Sequence, residues 1–412
     1  MTDGAAAAAA VGMDKPPLSR VLAMLDRDGE EARVIGGAVR NALMGLPVGE
    51  VDIATTATPD EVARRATAAG FKPVPTGIEH GTVTVVAEGT PFEVTTLRED
   101  VETYGRKAKV AFGRDWVGDA RRRDFTINAL SMTRDGRLHD HVGGLPDIAA
   151  RRVRFVGDPA TRIAEDYLRI LRLFRFHAAY GEGALDPAGL AASIAARAGI
   201  ETLSRERVRA ELMKLLVARG AAATLQTMAD TGILQGILGG VPLVASFAAM
   251  AAHHAKLGLP PDAVRGLAAL AVLVVEDADR LAQRLRLSRL EHARLASMAT
   301  GWRQIAPREP EAGAKALLYR LGPDGYRDRV MLAWARAGSA ADAGWQELAT
   351  LPERWTAPVF PLKAADFLAH GIQRGPKLGA ALAAAERAWI DAGFPAGKTA
   401  LEAIVMKIAQ GA

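Results

Sequence analysis

Strand-forming sequence stops near residue 155 of this chain, and the remainder reads as helix to the end. Before that point strands and helices alternate. Arg33–Gly36 is a short strand closing on glycines, Gly37–Gly45 is helical, and Glu50–Ala54 alternates as a strand. Thr58 or Pro59 opens a helix over Pro59–Ala69, and Thr82–Ala87 and Phe92–Leu97 are β-branched runs bounded by Gly and Pro. From about Ala160 apolar residues recur at helical spacing, and no fixed-period repeat is present. This order predicts an α+β protein, a mixed-sheet head followed by all-α domains in series, and argues against a doubly wound sheet.

A chain of 412 residues exceeds what one core holds. Gly and Pro punctuation near 239–242, 258–261, 307–310 and 352–361 subdivides the helical part. The expected parts are a disordered leader over 1–14, a head over 15–155, a helical neck over 156–220, a body over 221–350 and a tail over 351–412. The alanine run Ala5–Ala10 lacks a basic flank and a convincing cleavage site, so a frayed leader is expected there and not a signal peptide. The absence of cysteine excludes disulfides, thiolate metal sites and cysteine nucleophiles. With no apolar run near the roughly 18–20 residues of a membrane helix, no membrane partner is expected and a cytoplasmic home fits. The net charge of +5 is compatible with a polyanionic partner.

Gly36-Gly37-Ala38-Val39-Arg40 falls where a strand ends and a helix opens. There a backbone can approach a phosphate closely and Arg40 adds a charged fork. Glu50-Val51-Asp52 comes next on an expected strand, where residues two apart share a face. Two carboxylates on one face just beyond such a turn suit two-metal phosphoryl transfer, since Mg²⁺ takes oxygen ligands. Glu93 on a later strand is a candidate third carboxylate. Arg121-Arg122-Arg123-Asp124 abuts a compact segment that would present Arg123 and Asp124 to a nucleotide.

Asp166, Arg169, Arg172 and Arg175 recur every three residues and are expected to form one ridge on a helix. The plainer reading is an exposed face of ion pairs. The sharper one is a base reader. Cytosine and adenine each place an amino donor beside a ring-nitrogen acceptor, and an Asp/Arg pair matches that pattern. Uracil and guanine reverse it, setting oxygen against carboxylate, so the pair selects C and A by roughly 1–3 kcal/mol per bidentate contact.

Together these segments resemble the class II tRNA nucleotidyltransferases, that is the CCA-adding enzymes and their poly(A) polymerase relatives. The motifs match in order over Val34–Leu216: Gly-Gly-Ala-Val-Arg at 36–40, Glu-Val-Asp-Ile-Ala-Thr at 50–55, Arg-Arg-Asp-Phe-Thr-Ile-Asn-Ala at 122–129, the turn Asp140–Asp147, and Glu-Asp-Tyr-Leu-Arg at 165–169. Ser204-Arg205-Glu206-Arg207 with Glu211 and Lys214 looks like the family's neck helix. The resemblance implies a polymerase-beta-like nucleotidyltransferase palm followed by neck, body and tail. It implies that Gly37, Arg40 and Arg123 hold the triphosphate and sugar, and that Glu50 and Asp52 bind metal. Asp166 and Arg169 would form an amino-acid template, supported by Arg172 and Arg175. Asp366–Leu368 and Gly371–Gly379 look like a tRNA-contacting tail.

The implied function is addition of CCA to the tRNA 3′ end from CTP and ATP, with Mg²⁺ as cofactor and Mn²⁺ as its alternative. Poly(A) synthesis on the same head is the first rival; Thr76–Thr82 resembles the CCA-adding form and favours tRNA. The second rival is a non-catalytic tRNA-binding protein. Its motive is Glu50, which stands where the family has Asp and whose extra methylene shifts the ligating oxygens by about a bond length. Asn41 stands where the family commonly has Asp. His253-His254 and His139-Asp140-His141 are assigned no metal. Oligomeric state is not legible.

Overall fold

The structure is a computed structural model that describes residues 4–77, 81–104, 107–307, 311–337 and 342–411. The chain divides into two compact units, Met1–Ile237 and Leu238–Ala412. The first holds a seven-stranded mixed sheet built from β1 (Ala32–Ile35), β2 (Asp52–Thr55), β3 (Lys72–Gly77), β4 (Thr82–Ala87), β5 (Thr90–Thr96), β8 (Ser131–Thr133) and β9 (Leu138–His139), in the order β3-β4-β5-β2-β1-β8-β9. β1 is buried along its length, with β2 and β8 antiparallel on either side of it. β2 and β5 run parallel, with Asp52 opposite Glu93 and Ile53 opposite Val94. β4 alternates half-buried Thr82, Thr84 and Val86 with buried Val83, Val85 and Ala87, the period-2 pattern that seats one sheet face on the core.

The head helices are α1 (Gly4–Val11), α2 (Leu18–Leu25), α3 (Gly37–Leu43), α4 (Pro59–Ala68), α5 (Trp116–Arg121) and α6 (Gly144–Ala149). Thr58 caps α4 by accepting from the Glu61 N–H, with Pro59 at the first helical position. Against the expectation of a disordered leader, residues 4–11 form α1, packed against α3 with Ala7, Val11 and Met13 buried. Alanine has the highest helix propensity, and its small side chain lets a helix sit close to another backbone. β6 (Arg98–Tyr104) and β7 (Lys107–Phe112) pair as a separate antiparallel ribbon.

The neck continues the same unit with α7 (Pro159–Glu165), α8 (Leu168–Tyr180), α9 (Pro187–Ala195), α10 (Arg205–Leu216), α11 (Ala221–Asp230) and α12 (Ile233–Leu238). The expected break at 220/221 is not where the chain divides, because α11 packs on α8. An aromatic row joins head to neck: Phe155 lies 5.0 Å from Phe125, Phe125 lies 5.1 Å from Phe176, and Phe176 lies 5.6 Å from Tyr180.

The second unit is helical: α13 (Val244–Lys256), α14 (Ala263–Ala271), α15 (Val275–Leu285), α16 (Arg289–Gly301), α17 (Glu311–Ala337), α18 (Asp342–Ala349), α19 (Leu351–Arg354), α20 (Ala364–Leu368), α21 (Pro376–Asp391) and α22 (Lys398–Gln410). α17 is two helices joined at Gly322, which takes φ +70° just before Pro323. Buried Asp328 accepts from Arg265 Nε at 2.7 Å and Arg294 Nε at 2.8 Å, clasping α14, α16 and α17. Phe367, Ile372, Ala381, Ala385 and Val405 form a small core in the tail. Among the described residues no helix is long and apolar enough to cross a membrane.

Candidate active site

The acidic edge of the sheet is built by β2 and β5. β2 begins at Asp52, so Glu50 lies in the irregular run before the strand and is exposed, not on the strand as expected. The break comes from the sequence Leu46-Pro47-Val48-Gly49, whose Pro and Gly keep the chain out of the ladder. Parallel pairing sets Asp52 directly beside Glu93. Burial pushes the Asp52 carboxyl above its ordinary range, and the neighbouring charges of Glu93 and Glu50 push the same way against the pull of Arg123. Among the described residues no three or more His, Asp or Glu side chains converge tightly enough to hold a metal by themselves. Neighbouring carboxylates at the end of two paired strands nonetheless fit a divalent cation that would fill its other positions with water and substrate oxygens.

The Gly-Gly turn faces the arginines. Gly36 takes φ +65°, and a Cβ there would sit 3.4 Å from Arg123 Nη1. A Cβ on Gly37 would lie 3.6 Å from Arg40 Nη2. Arg123 is steered by Asp119, which accepts from its Nε at 3.1 Å and its Nη2 at 3.0 Å, and which also binds Arg122. Burial alone would raise the Asp119 carboxyl, but Arg123 and Arg122 outweigh it and hold the group below its ordinary range. Sequence reasoning misses Asp119, whose one signal is the i,i+4 spacing to Arg123 at a helix C-terminal turn.

Arg40 is buried. Its Nε and Nη2 donate to Asn41 Oδ1, its Nη1 to Asn128, and its Nη2 to the Tyr180 hydroxyl at 2.8 Å. Asn41, the departure from the family's Asp, thus accepts from Arg40 while its amide donates to the Pro47 carbonyl.

The neck residues do not form a single helical ridge. α7 ends at Glu165, Asp166 is extended at φ −158°, and α8 begins at Leu168. Asp166 therefore stands at the helix break, its carboxylate accepting from the Leu168 N–H at 3.1 Å as short polar side chains do at helix starts. Arg207 of α10 donates to it through Nη2 at 2.5 Å. Burial raises the Asp166 carboxyl, while Arg207, the Leu168 N–H and Arg169 lower it further, so it stays ionised and an acceptor.

Arg169 donates to Asp124 at 2.8 Å and to the Arg162 carbonyl at 2.6 Å, and Arg172 donates to Asp124 at 2.6 Å. Asp124 is expected from sequence to face a nucleotide; its two oxygens instead anchor the neck arginines, while Arg123 turns toward the Gly-Gly turn. Arg175 pairs with buried Glu211 and lies 4.1 Å from the Phe176 ring centre.

The remaining sequence candidates lie elsewhere. Asp140 caps the turn before α6, accepting from the Gly143 N–H at 2.8 Å and the Gly144 N–H at 2.9 Å. His253 stacks on Trp334 at 3.8 Å, and His254 Nδ1 bonds the Pro260 carbonyl at 2.7 Å. Phe367 of the expected tail motif is buried in the tail core. Of the Thr76–Thr82 segment, residues 78–80 fall outside the described residues.

A mixed sheet presenting paired carboxylates beside a Gly-Gly turn, continued by a helical neck, defines the nucleotidyltransferase class. Residues 32–154 match the poly A polymerase head domain, and residues 184–247 match the probable RNA and SrmB-binding site of polymerase A. The mitochondrial CCA tRNA nucleotidyltransferase 1 of Danio rerio is 41% identical over 268 residues, which cover 63% of this chain and 61% of that protein. Its Mus musculus counterpart is 33% identical over 400 residues, 95% of this chain and 90% of that one. The crystal structure of the Bacillus stearothermophilus CCA-adding enzyme in complex with CTP superposes with a TM-score of 0.76 at 29% identity, covering 96% of this chain and 98% of that one. The chain belongs to the CCA-adding tRNA nucleotidyltransferase family.

Proposed function

We propose that this protein adds C and A residues to the 3′ end of tRNA, taking CTP and ATP as substrates and releasing pyrophosphate. The observation that carries the reading is Asp166 and Arg169 at the start of α8. Both are held by ion pairs to other residues and both belong to the same compact unit as the Asp52–Glu93 pair. Asp166 accepts from the exocyclic amino group of cytosine or adenine, and Arg169 donates to the adjacent ring nitrogen. Arg172 and Arg175 support the nucleotide from the same helix.

The Gly36-Gly37 turn, Arg40 and Arg123 hold the triphosphate and sugar. The tRNA 3′ hydroxyl oxygen attacks the α-phosphorus and gives up its proton to solvent, the bond from the α-phosphorus to the α–β bridging oxygen breaks, and Arg40 and Arg123 balance the charge that moves onto the departing pyrophosphate. No covalent enzyme intermediate is required, so positioning and electrostatics supply the rate enhancement. Asp52, with Glu50 and Glu93 beside it, would hold a divalent cation, Mg²⁺ or in its place Mn²⁺, which when bound supplies Lewis-acid stabilisation of phosphoryl oxygens. We place the reaction in the cytoplasm, which the cysteine-free composition supports; cell fractionation tests that assignment.

The test is incorporation of each labelled nucleotide, with Mg²⁺ and then Mn²⁺, into tRNA ending before CCA and into an unstructured RNA. C followed by A on tRNA alone is the expected result. Long A tails on either RNA would make the protein a poly(A) polymerase. Tight tRNA binding with no incorporation under either metal would make it a binding protein with a retired site.

A further inference from the structure

The last residue of the base-reading helix reaches back to the phosphate-holding turn. Tyr180 closes α8, thirteen residues long, whose first turn carries Arg169. Its hydroxyl accepts from Arg40 Nη2 at 2.8 Å, and the Arg40 guanidinium lies 3.8 Å from its ring centre. Arg40 sits in turn under the second glycine of the Gly36-Gly37 turn. The other Arg40 hydrogen bonds go to Asn41 and Asn128, both on head segments, so among the described residues Tyr180 supplies the hydrogen bond that reaches this side chain from the neck. Phe176, one turn earlier on α8, lies 5.5 Å from the Arg40 guanidinium and extends the same aromatic support.

A buried guanidinium loses its hydration, as the lowered Arg40 pKa, caused first by burial, reflects. Neutral acceptors and a π face satisfy its donors while leaving its charge available to a phosphate. Tyr180 and the two asparagines are partners of that kind. The contrast with Arg123, Arg169, Arg172 and Arg175, each paired to a carboxylate, sets Arg40 apart.

We propose that Tyr180 is a positioning residue for nucleotide binding: it holds the Arg40 guanidinium uncancelled against the Gly36-Gly37 turn and so ties base reading on α8 to triphosphate placement in the head. The inference rests on the proposed nucleotidyl transfer. Because the contact lies at the phosphate end, its loss weakens CTP and ATP alike and leaves discrimination against UTP and GTP in place.

The experiment is steady-state incorporation on tRNA lacking CCA by the full chain, comparing wild type, Tyr180→Phe, Tyr180→Leu, Arg40→Lys and the Tyr180→Leu/Arg40→Lys double variant. Tyr180→Leu should raise KM for CTP and ATP by the same factor, about tenfold, and Tyr180→Phe, which keeps the ring, by about threefold. kcat should fall less than KM rises, and the double variant should be little worse than Arg40→Lys, since both changes act through one guanidinium. Unchanged KM values in Tyr180→Leu with a lowered melting temperature would overturn the proposal, making Tyr180 packing alone. So would effects of Tyr180→Leu and Arg40→Lys that simply multiply. If wild type incorporates nothing, the functional reading fails and not this one; equilibrium CTP binding by the same five proteins then decides, with the same non-multiplying pattern expected and its absence overturning the proposal.

Discussion

The acidic edge at β2 and β5 and the start of α8 handle charge in opposite ways. At the edge, burial and the charges of Glu93 and Glu50 hold Asp52 above its ordinary titration range. On the neck every charged reader has a counterion: Asp166 has Arg207, Arg169 and Arg172 share Asp124, and Arg175 has Glu211. The first arrangement holds repulsion that a bound divalent cation would relieve. The second fixes side-chain directions before a base arrives, which is what discrimination between hydrogen-bond patterns requires. In the proposed reaction the first surface serves the chemistry and the second the reading of the base.

Removing charge from the acidic edge should therefore harm activity and help the fold. Asp52→Asn is expected to lower incorporation by about a thousandfold. Because the folded-state pKa of Asp52 is raised, the native protein is penalised as pH rises through that pKa, and the penalty persists at neutrality. Calorimetry of Asp52→Asn at neutral pH should consequently show a melting temperature about 2–4 °C higher. A lower melting temperature would break the contrast.

A counterion behaves the other way. Asp119→Asn leaves Arg122 and Arg123 without their buried partner and should cost about 3 kcal/mol by denaturant unfolding at neutral pH. The Asp119 pKa is depressed in the folded protein, so its contribution is present above the unfolded value and is lost as pH falls through the folded one. The gap between variant and wild type should narrow in acid.

On the reading surface, Arg169→Ala should reduce preference for CTP and ATP over UTP and GTP by about 10–100-fold, with a smaller change in overall triphosphate affinity. Competition assays with mixed nucleotides measure it, and intact selectivity would remove Arg169 from the template. The smallest effect is expected at Glu50, which is exposed and off the strand. Glu50→Asp should alter the Mg²⁺-supported rate by only about two- to fivefold, since it moves one oxygen pair by a bond length. A much larger gain would mean that Glu50 limits the wild-type site.

The parts of the molecule legible in the sequence are those encoded locally. β4 is delimited as Thr82–Ala87 in both sequence and structure because alternating burial and flanking glycines act within a few residues. The Thr58 cap of α4 is equally local. Three-residue spacing is compatible with a helix running through Asp166, yet the helix breaks there. The break comes from its own side chain competing for the Leu168 N–H, with Arg207 holding the carboxylate from 41 residues away. Asp124 departs from its expected role for the same reason: its partners lie 45 and 48 residues further on, and nothing in its neighbours announces them. The alanine run reads as unstructured because no apolar stripe marks it. What orders it is the head surface beneath, where a Cβ added at Gly4 would lie 2.9 Å from the Gly136 carbonyl oxygen.

The side-by-side register of Asp52 and Glu93 has a consequence for anyone screening variants of this protein. Phe92 and Val94, on either side of Glu93, are buried, and their burial decides which way Glu93 faces, since a slip of one residue would send it to the opposite side of the sheet. A mutational scan should thus find a second class of inactive clones, at apolar positions that never meet a nucleotide. These would be separable from lesions in the acidic residues themselves because they lose soluble yield together with activity, whereas Asp52→Asn loses activity alone.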